Sequence, residues 1–253
     1  MILVKSAEEA EIMALAGRIC GDALEAIRGI ISPGLSTKEI EKAARDLIRR
    51  AGARPAFLGY RGYPASICAS INEQVVHGIP SERKLRNGDI ISVDLGVEYR
   101  GFYGDAAMTF AVGEVSPEAR KLMRVTEESL DLGIRKAVAG GRLSDISHAV
   151  QTHVEANGFS VVRSFVGHGI GRALHEEPQV PNFGPPGRGP RLLSGMALAI
   201  EPMVNAGTWK VRILGDGWTA VTEDGRLSAH FEHTVIVREG KPEVLTGFPE
   251  RLD

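Results

Sequence analysis

The chain has 253 residues, 43% hydrophobic and 25% charged, a balance that excludes disordered, fibrous and membrane-embedded classes and fits one large globular domain or two small ones. A formal net charge of −2 gives no reason to expect nucleic acid or a membrane surface as partner. The N-terminus meets acids by residue 8, unlike a signal or transit peptide, and no apolar run is long enough to span a bilayer. Cys20 and Cys68 suit neither a disulfide framework nor a zinc ribbon, so a cytoplasmic protein with two buried free thiols is expected.

In chain order, Ser6-x-x-Glu9 has the form of a capping box and opens a helix with helical periodicity through Ile12, Leu15, Ile19, Leu24 and Ile27, ended by Ser32-Pro33-Gly34. Ser36-x-x-Glu39 opens a second helix with Ile40, Ala44 and Leu47 on one face, closed by Gly52. The segment from Ile90 to Tyr99 then alternates Ile91, Val93 and Leu95 against Ser92, Asp94 and Gly96, as a half-buried strand does. Ser116-Pro117-Glu118 starts a third helix carrying Leu122, Val125 and Leu130, and Ser144 is expected to cap a fourth, with Ile146 and Val150, closed by Gly158. FVGHGIGRALHEEP, from Phe165 to Pro178, is too glycine-rich for a helix and reads as irregular backbone. HFEHTVIV alternates again after an Asp224-Gly225 hairpin signal.

The two helix pairs repeat. Ile40 to Gly52 lies over Ile146 to Gly158 at an offset of 106, Leu35-Ser36 is laid on Leu143-Ser144, and Leu85–Asp94 lies over Leu192–Glu201 at an offset of 107, with Gly88 on Gly195 and Asp94 on Glu201. Two unrelated helix pairs are the alternative to a duplicated helix–helix–strand unit. The expected fold is α+β: one largely antiparallel sheet covered by two helix pairs, in a single domain 1–253 whose halves run approximately 1–113 and 114–253.

Asp94 and Asp105 are eleven residues apart. A turn at Tyr99-Arg100 would set them directly opposite, with Cβ atoms about 5 Å apart, where like charges repel. Either one carboxyl then keeps its proton or a cation lies between them; a turn elsewhere would leave both facing water. Glu201 follows a run of small and apolar residues and Glu232 lies mid-strand, two places where an unpartnered charge is disfavoured. With His168 these acids make a set of four carboxylates and one imidazole, oxygen-rich enough for two divalent ions and suited to hydrolysis. Gly167 and Gly169 would let the backbone bring His168 near a metal, His175 could reach an oxyanion, and His77 in VVHGIP is a third imidazole; each taken singly is as readily a satisfied or surface histidine. His148 and His153 read as solvent-facing on the fourth helix, and His230 and His233 as residues flanking Glu232.

FVGHGIGRALHEEPQVPNF, SVDLG with YGDAAMTF, AIEP and SAHFEHTVIV together resemble the type I methionine aminopeptidases, over essentially the whole chain from the first helix to EVLTGFP. The resemblance implies the pita-bread fold, whose internal pseudo-twofold agrees with the repeat. It implies two divalent ions (Co, Mn, Fe or Zn) on Asp94, Asp105, His168, Glu201 and Glu232, with Asp105 and Glu232 bridging. Glu201 would also shuttle a proton, His175 would hydrogen-bond the scissile carbonyl, and His77 would assist the substrate amide or the departing group. Tyr60, Tyr63, Cys68 and Trp218 would form the methionine pocket, although core packing explains such aromatics equally well. The implied partners are a peptide substrate and the ribosome, with a monomer as the default state.

Three positions depart from the familiar bacterial pattern: Arg61 stands where a histidine is frequent, Leu174 where an aromatic is common, and Phe57 where a small or thiol residue is usual. They bear on pocket size and rim polarity. The competing readings are an Xaa-Pro aminopeptidase or prolidase, which generally carries a further N-terminal domain, and a non-catalytic pita-bread binding protein, which usually has lost metal ligands.

Overall fold

The computed structural model describes residues 2–247; Met1 and residues 248–253, including Phe248 and Pro249 of the EVLTGFP stretch, lie outside the described residues. Helix α1 (Ala7–Ile30) begins at a reciprocal capping box: the Ser6 hydroxyl accepts from the Glu9 N–H at 3.2 Å, and the Glu9 carboxylate accepts from the Ser6 N–H at 2.8 Å. Its buried stripe is Met13, Ala16, Gly17, Cys20, Leu24 and Ile27, rotated from the expected one, so Leu15 is exposed. Small residues turn inward because the helix lies directly on the sheet. Helix α2 (Thr37–Arg50) has the same box at Ser36 and Glu39 and buries Ile40, Ala44 and Ile48.

Short strands β1 (Arg54–Pro55), β2 (Cys68–Ile71) and β3 (Gln74–Val76) lead into the long hairpin of β4 (Ile90–Tyr99) and β5 (Phe102–Ala111). The hairpin turns at Arg100-Gly101, with φ of 52° and 81°, not at Tyr99-Arg100. A two-residue turn with both φ positive matches the strand twist, and Gly101 meets that demand without strain. Asp94 therefore pairs with Ala107 and Asp105 with Gly96, which makes the two acids diagonal neighbours on one face, not directly opposed residues. Strand β4 is also buried on both faces from Ile90 to Val97, since its polar face looks into the interior of the molecule and not into water.

Helix α3 (Pro117–Ile134) starts at Ser116, whose hydroxyl accepts from the Ala119 N–H at 3.1 Å. Helix α4 (Leu143–Ala156) lies 106 residues from α2 at both ends, which places Arg142, and not Ser144, at the position of Ser36. The Leu35-Ser36 match was thus two residues out of step. Asp145 supplies the carboxylate half of the box, accepting from the Arg142 N–H at 2.9 Å, while the Ser144 hydroxyl holds the Arg188 N–H at 2.7 Å.

Beyond α4 come β6 (Ser160–Val161), β7 (Gly167–Gly169), β8 (Glu176–Val180), β9 (Ala197–Ile200), β10 (Met203–Asn205), β11 (Val211–Ile213), β12 (Ala220–Thr222), β13 (Ser228–His230), β14 (Glu232–Ile236) and β15 (Glu243–Val244). The glycine-rich stretch is thus two paired strands with a bulge at His168/Gly169, more regular than expected. Asp224-Gly225 joins β12 to β13, but these belong to different three-stranded sheets, so it is not a hairpin. The main sheet runs β1-β4-β5-β14-β9-β7-β8, with β2 beside β4 and β15 beside β14, and its pairings are antiparallel. Its centre is palindromic: β5 and β14 pair, flanked by the duplicate strands β4 and β9. Helix α1 packs on β4 and β5, and α3 packs on β14 and β9. No described helix is long and apolar enough to cross a membrane.

Candidate functional site

Five consecutive positions in the sheet each deliver one titratable side chain to the same place. Asp94 comes from β4, Asp105 from β5, Glu232 from β14, Glu201 from the residue after β9, and His168 from β7. Donor atoms of Asp105, His168 and Glu232 all lie within 4.8 Å of one another. His168 Nε2 is 3.6 Å from Glu201 Oε1 and 3.9 Å from Asp105 Oδ2.

Burial decides the electrostatics of this cluster. Asp94, Asp105 and Glu232 are buried and Glu201 keeps 14% of its side-chain surface, open to the cavity. Desolvation, reinforced by the neighbouring carboxylates, holds all four acids well above the ordinary carboxylate range. Three buried oxygens, Asp94 Oδ1, Asp105 Oδ1 and Glu232 Oε1, have no hydrogen-bond partner. Groups of this kind are costly without a partner, and a cation supplies one.

His168 is set up as a ligand. Its Nδ1 lies 2.8 Å from the Gly169 carbonyl, which fixes the proton there and leaves the Nε2 lone pair facing the acids. Burial lowers its pKa to about 4, so the ring is neutral near pH 7. The cluster therefore fits a divalent cation: oxygen donors, one neutral imidazole and no thiolate.

The cluster floors a cavity of about 140 Å³. A void of about 150 Å³ takes a benzene-sized apolar body, so this one suits a single side chain. The cavity collects every residue the sequence singled out as catalytic, metal-binding or substrate-binding, together with Phe57, Arg61 and Leu174. Phe57, Leu174, Tyr63 and Cys68 are buried in its wall. The Tyr63 hydroxyl lies 3.0 Å from the Gly78 carbonyl and its ring meets Trp218 edge-on at 5.1 Å. Burial pushes the Cys68 thiol up, aided by Asp94, its partner across β2 and β4, so it stays protonated.

His175 sits at the mouth, exposed, its ring stacked on Tyr60 at 5.2 Å and 4.1 Å from His168. Desolvation, and then the nearby His168, lower its pKa to about 3. Its loop is clamped from below, because Glu176 accepts from Arg172 N at 2.7 Å, from Ala173 N at 3.1 Å and from Lys5 Nζ at 2.6 Å in a buried ion pair. His77 holds a positive φ of 61° and packs edge-on against Phe165; burial lowers its pKa.

His230, which the sequence marks only as a residue flanking Glu232, belongs to the site. It is 1% exposed, and its Nε2, without a hydrogen-bond partner, lies 3.6 Å from Glu201 Oε2. The signal was its spacing, since residues 230 and 232 share a face in an extended chain. His148 is exposed as expected, whereas His153 is half-buried against Glu128, with Nε2 3.0 Å from Oε2.

Comparison with known proteins adds the family. Residues 11–239 match metallopeptidase family M24. A methionine aminopeptidase from Clostridium perfringens is 54% identical over 97% of this chain and 99% of that protein. The crystal structure of a methionine aminopeptidase from Thermotoga maritima superposes with a TM-score of 0.96 at 48% identity, covering 97% of this chain and 99% of that one. An Xaa-Pro dipeptidase from Bacillus anthracis shares the fold at a TM-score of 0.78 and 25% identity, but 99% of this chain covers only 63% of that one.

Proposed function

The chain belongs to metallopeptidase family M24, and from that premise we propose that it removes the N-terminal methionine from peptides and new protein chains whose second residue is small. The observation that carries this reading is the placement of four acids and a neutral imidazole on neighbouring strands, under a cavity sized for one side chain. The full-length similarity to methionine aminopeptidases supports methionine as that side chain.

Asp94, Asp105, His168, Glu201 and Glu232 would hold the metal, and their donor count suits two divalent ions. Divalent ions at such a site polarise the attacking water and the scissile carbonyl. Glu201, whose side chain keeps surface open to the cavity, would take a proton from that water and return it to the departing amine. His175, neutral and fixed between Tyr60 and His168, donates a hydrogen bond to the carbonyl oxygen as charge gathers on it. His77, also lining the cavity, would orient the substrate amide. Tyr60, Tyr63, Cys68 and Trp218 surround the methionine side chain, whose polarizable thioether suits aromatic and thiol neighbours. The two buried free thiols fit a reducing cytoplasm.

The test is a protein stripped with chelator and offered a Met-Ala-Ser peptide beside Ala-Pro-Ala. Free methionine should appear only after Mn or Co is restored, and Asp105→Ala or Glu232→Ala should lose both metal and turnover. Cleavage of Ala-Pro-Ala instead would move the chain to the Xaa-Pro branch. Metal binding with no turnover of either peptide would overturn the enzymatic reading.

A further inference from the structure

Arg61 is the departure from the family pattern that changes charge, and the structure puts it at the entrance of the cavity. Among the cavity-lining residues described, Arg61 and His175 are the exposed ones, so they mark the mouth through which the rest of a bound peptide must leave. Arg61 is the one arginine or lysine, and so the one fixed positive charge, among these lining residues. Its guanidinium lies 5.4 Å from the Tyr60 ring centroid, which orients it, and no described acid pairs with it. Its backbone is held at φ 50°, ψ 23°, between Gly59 and Gly62, which also have positive φ. A non-glycine residue is strained in that region, and such strain concentrates where a side chain is used.

The guanidinium at the mouth, paired with no described acid, attracts an acidic peptide side chain. We propose that Arg61 is a specificity-determining residue that favours substrates with an acidic third residue. The inference rests on the methionine-removing reading above. The third position is the relevant one because the second is confined to small side chains and Arg61 lies at the mouth, where the peptide leaves the cavity.

The test compares amidated peptides beginning Met-Ala-Asp and Met-Ala-Asn, which differ in charge at nearly constant size. The wild-type metal-loaded enzyme should show kcat/KM about two- to fivefold higher for the Asp peptide, the range of an exposed ion pair, carried in KM and shrinking with added salt. Arg61→Gln should bring the Asp/Asn ratio to one or below, Arg61→Lys should retain part of it, and Arg61→Glu should invert it. The ratio is read within each enzyme, so a general loss of activity in a variant does not mimic the effect. A wild-type ratio of one, or a ratio unmoved by Arg61→Gln and Arg61→Glu, overturns the proposal. Methionine release from the Asn peptide reports separately on the underlying activity; if it is absent, the inference falls with that reading.

Discussion

At the scale of single residues, His175 shows what the cavity adds to a side chain. An exposed histidine ordinarily titrates near neutrality, but here desolvation and its imidazole neighbour hold it at a pKa of about 3. A ring that stays neutral at working pH can donate through one nitrogen without bringing a second positive charge toward the metal. His175→Ala should leave bound metal unchanged, as measured by metal content after gel filtration, while kcat falls by about 10²–10³-fold, the usual cost of one oxyanion donor. Loss of metal in that variant, or an unchanged kcat, would remove His175 from the chemistry. Most of this site was legible from residue type and spacing, because buried acids in strands need an explanation wherever they occur. His230 was less so: its burial and its approach to Glu201 depend on which face of a broken strand points inward, and Phe231 interrupts that strand.

At the scale of elements, α1, α2 and α3 are legible through their serine caps, whereas the cap of α4 and the sheet register are not. Ser6 and Ser36 announce α1 and α2, but the hairpin register hangs on one turn, and moving that turn by one residue re-pairs Asp94 and Asp105. The inward stripe of α1 differs from the large-residue stripe for a related reason. Large residues were expected inside, yet the helix approaches β5 so closely that a Cβ on Gly104 would meet the backbone N of Gly17 at 2.8 Å. Gly17 is equally constrained, since a Cβ there would reach the Leu245 carbonyl oxygen at 2.5 Å. Backbone cannot yield as a side-chain end can, so Gly104→Ala should cost about 1–3 kcal/mol in denaturant unfolding, in line with other overpacked cores. Asp105 is the next residue, so the same variant should bind metal more weakly. Gly29→Ala, with nothing within 4 Å of the added methyl, is the control expected to be neutral or stabilising. Equal stability of the Gly104 and Gly29 variants would show that α1 can lift off the sheet without loss.

At the scale of the whole molecule, the site is where the two halves of the repeat meet. Asp94 and Asp105 come from the first half, and His168, Glu201 and Glu232 from the second, converging across the β5–β14 pair at the palindrome's centre. Without metal, this junction holds four carboxyls that the fold desolvates, each with its pKa raised above the unfolded value. The folded state then keeps protons that the unfolded chain has released, so stability declines as pH rises toward those raised values. The buried histidines act in the opposite direction: His168 and His233 at about 4, and His175 and His230 at about 3, stabilise progressively as pH rises toward the ordinary value of 6.5. Above about pH 7 these histidines are neutral in both states, and the acids set the slope, joined toward the upper end by the Cys20 and Cys68 thiols, which burial also pushes up. Chelator-stripped protein should therefore lose thermal stability between about pH 7 and 9, and Asp94→Asn should flatten the decline. Restoring Mn should raise Tm more at the upper pH than at the lower, because a divalent ion stabilises only the deprotonated carboxylates. Calorimetry at the two pH values, with and without metal, decides the matter. A metal-free Tm that holds or climbs over this range would mean that the acids ionise freely in the folded protein, and that the junction is wetter than its burial indicates.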